Sequence, residues 1–217
     1  MSVNLQKVNP TISSVENAVL RAKTDSTARS SMRKIVPSDP ASDFRSAEAL
    51  YPHLSESGDG IYFNSELAVA TAVYLWATTS SPGYRSTKLT INGHGGPPDD
   101  DTIPKHRKTF AKSMRELAIG KKGVEIGRRT HLSPGVVRRF ASAMASKSLE
   151  ELVPRLRSLC AAAERDGIAI DYARLAADLS WVIKNEGRTL DTSTLTRWNK
   201  DFWTPPAAEG QKTPTVS

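Results

Sequence analysis

Apolar residues in this chain recur at spacings of three and four, and alternating runs of Val, Ile, Thr and aromatic residues are nearly absent. The first spacing lines one face of a helix; the missing alternation is what a half-buried strand requires. The pattern predicts an all-α fold, a helical bundle of two small lobes. At 217 residues the chain is long enough to bury a substantial core. No apolar run approaches the roughly 18 to 20 residues of a membrane span. The start MSVNLQKVNPTISSVENAV lacks an apolar leader core. The single cysteine, Cys160, excludes an intrachain disulfide and fits a reducing compartment. These features predict a cytoplasmic protein.

Punctuation residues divide the chain. Residues 1–12 read as a disordered N-terminus and 13–79 as an N-terminal helical lobe. Its helices are expected from Ser14 to about Lys23, around STARSSMRKI, and after a cap at Ser42 or Asp43. From Asn64 to Thr78, Leu67, Ala70, Val73, Tyr74 and Trp76 occupy more than one face, so that helix is expected to be central. Residues 80–104, rich in Gly, Pro and Asp, read as a long loop. Residues 105–203 read as a C-terminal helical bundle lobe. There Ser133 precedes Pro134 at the first helical position, with Val136, Val137, Phe140 and Met144 facing inward. Ser148 opens a capping box with Glu151, followed by a stripe of Leu149, Leu152, Val153, Leu156, Leu159 and Cys160. Asp171 and Asp191 cap the last two helices, with staples Ile170–Leu175 and Leu190–Leu195. Four amphipathic helices with short links make a bundle. Pro205 and Pro206 end it, and 204–217 read as a disordered tail.

No constellation for catalysis stands out. His53, His94, His106 and His131 are scattered, and the Asp99–Asp101 run beside His94 sits among Gly and Pro rather than on a ligand scaffold. Cys160 falls on an apolar stripe, where a cysteine behaves as a small hydrophobe. Phosphate-loop, nucleophile-elbow and dinucleotide fingerprints are missing. The expectation is a protein with no catalytic residues, no metal and no cofactor.

Charge is more informative. Of a net +7, residues 84–140 supply 13 Lys or Arg against 5 Asp or Glu, and the remainder holds 17 basic against 18 acidic residues. A surplus this concentrated points to a polyanion, and nucleic acid is the natural one. Arg33 and Lys34 lie upstream; Lys105, Arg107, Lys108, Lys112 and Arg115 follow the long loop; then come Lys121 with Lys122, Arg128 with Arg129, and Arg138 with Arg139. Neighbours on a helix lie about 100° apart, so a pair straddles the outer face, and the arginine fork matches phosphate. The run VEIGRRTHLSPGVVRRF also has helix-turn-helix spacing, with Gly127 and Leu132 at the turn and Arg138 and Arg139 on a recognition helix. A sequence-specific DNA-binding regulator is therefore the alternative. Against it, His131 stands where Gly is usual, and KKGVE leaves little room for a first helix.

Taken in order, RRF, SLEELVPRLRSLC, IAIDYARLAADLSWV and LTRWNKDFW resemble the CasB family, the small subunit of the type I-E CRISPR surveillance complex, Cascade. Trp198, Asp201 and Phe202 match the family's closing helix. Upstream, SSMRKIVPSDPASDFRSAEALYPHL and ELAVATAVYLWA are similar to its N-terminal stretch, so the likeness covers roughly residues 29 to 78 and 123 to 203. The resemblance implies a non-catalytic, two-lobed subunit of an antiviral complex that pairs with a second copy of itself. It also implies contact with the guide RNA, with the backbone and large subunits, and with the displaced single-stranded DNA of the R-loop. By position, Arg33 with Lys34, Arg138 with Arg139, and Arg155 with Arg157 match the family's basic sites. Glu151 precedes Arg155 by four residues, the spacing of a surface ion pair. The chain departs from the pattern in the 80–104 loop, in residues 184–190 and in its tail.

Overall fold

The computed structural model describes residues 10–54, 63–79, 108–120, 125–126, 129–130 and 132–204. The expected loop at 80–104 and the tail from 205 lie outside the described residues, as do Lys105, Arg107, Lys121, Lys122 and Arg128.

The fold is all-α. In chain order its helices are α1 (Pro10–Thr24), α2 (Ser26–Met32), α3 (Phe44–Leu54), α4 (Phe63–Thr79), α5 (Phe110–Ile119), α6 (Pro134–Met144), α7 (Leu149–Asp166), α8 (Tyr172–Val182) and α9 (Thr192–Trp203). Two short antiparallel ladders accompany them: β1 (Glu125–Ile126) with β2 (Arg129–Thr130), and β3 (Ile183–Lys184) with β4 (Thr189–Leu190).

The caps explain most boundaries. An oxygen of Asp43 accepts the Ser46 amide at 2.9 Å, Asp171 accepts that of Arg174 at 2.8 Å, and Asp191 accepts that of Ser193 at 2.7 Å. Each satisfies an amide that the first helical turn leaves open, worth about 1 kcal/mol. At α7 the Ser148 hydroxyl accepts the Glu151 amide, while Glu151 reaches back to the Lys147 amide rather than to that of the cap itself. Ser133 precedes Pro134 as expected, but its hydroxyl makes no capping bond. At the other end of the chain, α1 begins at Pro10 and buries Thr11 and Ile12, so helix reaches into the stretch read as disordered.

Packing differs from the expected bundle in one helix. α5, α6, α7 and α9 form one group, whereas α8 packs chiefly against α4 and α1 and only secondarily against α9; α7 also leans on α4. Every residue of α8 from Tyr172 to Leu179 is buried. A helix apolar on so many sides needs neighbours on all of them, and α4, buried at Leu67–Ala70, Ala72, Val73 and Leu75–Ala77, provides the largest apolar wall. One continuous apolar core therefore joins the two helix groups, with α8 at the seam. Residues 184–190, noted above as a departure, form the β3–β4 hairpin. Its tip holds Asn185, Glu186 and Gly187 at φ of 48°, 58° and 84°. At Gly187 a Cβ would meet Leu149 at 3.3 Å, so both the space and the left-handed backbone require glycine there.

Candidate nucleic-acid interface

Several of the described arginines bond the open carbonyls at a helix end, and others lie on the outside. A helix leaves its last four carbonyls open, carrying partial negative charge, and an arginine satisfies both needs. Arg115 is the extreme case. Its Nη1 donates to the Phe202 carbonyl in the last turn of α9 at 2.7 Å, and the residue is only 7% exposed. The expectation that Arg115 lies on a nucleic-acid surface is therefore corrected: it is buried between α5 and α9. Arg155 donates through Nη1 to the Ser142 carbonyl at 2.8 Å and to the Ser146 hydroxyl at 2.9 Å, closing the end of α6. Glu151 stands 3.8 Å from it, the i,i+4 pair anticipated from the spacing.

Arg33 donates through Nε to the Ala77 carbonyl at 2.8 Å, in the last turn of α4, and remains exposed. Lys34 beside it is exposed. Arg157 is exposed and its Nη1 donates to the Tyr74 hydroxyl of α4 at 3.3 Å. Arg155 and Arg157 thus lean to opposite sides of α7, one onto α6 and the other onto α4. On α6, Arg138 is exposed and Arg139 is half-buried, its Nε donating to the Gly135 carbonyl of its own helix at 3.2 Å. Val136 and Phe140 turn inward, so the pair straddles the outer face as the helical repeat demands. Lys112 is exposed on α5. Arg129 is the second strand's first residue, and its side chain lies outside the described residues.

Sequence reasoning missed Arg29. Its guanidinium carbon lies 5.0 Å from the ring centroid of Trp76 on α4, a cation–π contact. Burial, then repulsion from Arg33, lowers its pKa, with an opposing pull from Glu164. The signal is in the spacing: Arg29 on α2 and Arg33 at its C-cap are one turn apart.

The helix-turn-helix reading does not fit. α5 ends at Ile119, residues 120–133 separate it from α6, and the β1–β2 ladder occupies the place of the turn. Cys160 is fully buried, and burial pushes its thiol up to about 12. Among the described residues there is no group of three potential metal ligands, and no helix is long and apolar enough to cross a membrane.

The geometry thus defines an all-helical protein with arginines arrayed on the outer faces of α2, α6 and α7. Residues 28–203 match the family model for CRISPR-associated protein Cse2. The chain belongs to the Cse2 family, for which CasB is the other name in use among similar structures. Its fold is similar to that of CasB from Thermus thermophilus, with 20% identity, coverage of 87% of this chain and 95% of that one, and a TM-score of 0.53. It is similar to a chain of a CRISPR RNA-guided surveillance complex at 16% identity, coverage of 88% and 92%, and a TM-score of 0.60. For CasB from Thermobifida fusca the values are 13%, 90% and 98%, and 0.54. No curated relative matches the chain.

Proposed function

We propose that this protein is a non-catalytic subunit of a CRISPR RNA-guided surveillance complex. It holds nucleic-acid backbone without reading sequence and stabilises the displaced DNA strand of the R-loop. The observation that carries this reading is the family match over residues 28–203, on a chain that exposes Arg33, Arg138 and Arg157. R-loop formation exchanges a DNA duplex for a guide–target heteroduplex of about equal stability. A near-balanced exchange is tipped by modest contacts, and cations that retain the displaced strand slow its return. Arg33, Lys34, Lys112, Arg138, Arg139 and Arg157 supply this surface, with Arg128 and Arg129 joining it by sequence position. Arg155 contributes what its capping bonds leave free. Guide RNA, a second copy and the complex's other subunits are the partners.

Charge reversal tests it. In the assembled complex, Arg138→Glu with Arg139→Glu should shorten R-loop lifetime without altering guide-dependent target choice. An unchanged lifetime overturns the assignment of that pair.

A further inference from the structure

Asp178 ties together two helices that pack mainly in different groups. α8 lies chiefly against α4 and α1, and α9 lies chiefly against α5. Oδ1 of Asp178 accepts from Arg174 Nε on its own helix and from Arg197 Nη2 on α9, and Oδ2 accepts from the Trp198 indole on α9, all at 3.1 Å or less. Two consecutive residues of α9 thus reach one carboxylate. The side chain of Asp178 is 1% exposed and that of Arg174 9%, whereas that of Arg197 is 37% exposed.

Apolar burial has no direction, so it tolerates small rotations and shifts of one helix on another. A hydrogen bond weakens steeply once its angle is lost. Ala177 and Leu179, on either side of Asp178, belong to the apolar core, so the directional part of the α8–α9 contact lies in this cluster. Its charges do not balance: two guanidiniums face one carboxylate, and burial raises the Asp178 pKa despite both of them. A buried cluster of this kind adds little net stability over apolar residues of similar volume. What apolar residues cannot supply is its geometry. That geometry extends beyond α9, because Phe202 of α9 stacks on Phe140 of α6. On the other side of the joint, α8 lies on α4, to which Arg33 is bonded.

We infer that Asp178 is a positioning residue: its carboxylate sets α9 in register on α8 and so fixes the spacing between the cations of the two groups, Arg33 at α4 and Arg138 on α6. The consequence for nucleic acid rests on the proposed role above; the register does not.

The test is a distance within the full-length protein. Spin labels on Glu48→Cys of α3 and Lys200→Cys of α9, both exposed positions, report one group against the other by pulsed electron–electron double resonance. Cys160 is fully buried and stays unlabelled. With the cluster intact, one narrow distance distribution is expected. Arg174→Met with Asp178→Leu and Arg197→Met removes the three charges together, so that none is stranded. The denaturation midpoint should then stay close to that of the parent, while the distance distribution broadens or splits. A purely stabilising cluster would move the midpoint and leave the distribution narrow, and that result overturns the inference. If the triple variant does not fold, Arg197→Met alone decides in the same way, at a side chain exposed enough to exchange without opening the core. In the assembled complex, a variant with a broadened distribution should also shorten R-loop lifetime. A broadened distribution with an unchanged lifetime upholds the register and counts against the proposed role instead.

Discussion

Around α4, the helices α1 to α4 and α8 bury chiefly Ala, Val and Leu, whereas α5, α6, α7 and α9 close over four large aromatic rings. In the second group Phe140 stacks on Phe202 with centroids 4.3 Å apart, and Phe110 lies tilted at 5.4 Å from Trp198. Small side chains let backbones approach closely and leave little tolerance for added volume; aromatic pairs hold helices through a few large, oriented contacts. The arginines do not follow that contrast. Arg115 and Arg155 turn onto helix ends in the aromatic group, and Arg33 does the same at the last turn of α4, while Arg29 and Arg157 meet side chains of α4.

The apolar seam between the groups also holds a buried polar cluster. Asp178 of α8 is 1% exposed and accepts from Arg174 Nε at 3.1 Å, from Arg197 Nη2 of α9 at 3.1 Å and from the Trp198 indole of α9 at 2.9 Å. Burial raises its pKa, against the opposing pull of Arg174, Trp198 and Arg197. Asp178→Ala strands the buried Arg174 charge and should cost about 3–5 kcal/mol. Chemical denaturation reads this as a lower midpoint for the whole chain. An unchanged midpoint means that the two helix groups do not depend on the seam. Ala72→Leu pushes volume into the apolar wall of α4, where Ala72 is fully buried, and should cost about 1–3 kcal/mol. A neutral result in the same assay erases the contrast between the groups. The smallest effect concerns α3 and α4, joined by the Tyr51 hydroxyl donating to Glu66. Burial first, then the bond to Glu66, pushes the Tyr51 phenol up to about 12. Its support is therefore fully present below an unfolded pKa of about 10 and is lost as pH rises through the folded value. Tyr51→Phe should flatten the alkaline limb of a stability–pH curve and leave the limb near neutrality unchanged.

Local signals were legible, and destinations were not. The caps at Asp171 and Asp191 and the stripe of α7 are written in residues a few positions apart, and each helix begins and ends close to where they place it. Thr109, Phe110, Met114, Leu117 and Gly120 mark the helix α5, but its lysines and arginines mask that apolar spacing as a charged run. Arg115 follows the same lesson. It lies in register with Ala111 and Ala118, both buried, so the helical repeat points it inward even though its side chain suggests a surface. That α8 crosses to α1 and α4 depends on which apolar wall is large enough to receive it, a property of distant segments. Trp76 as a platform for Arg29 is likewise a contact between helices that no local spacing encodes.

The most direct measurement is binding of the purified protein to random single-stranded DNA and to duplex DNA across a salt series. Binding that ignores sequence, with a log–log slope of about −0.7 for each phosphate contacted, is the expected result. Tight binding to one duplex sequence, or affinity unmoved by salt, would contradict a protein that holds nucleic-acid backbone by charge alone.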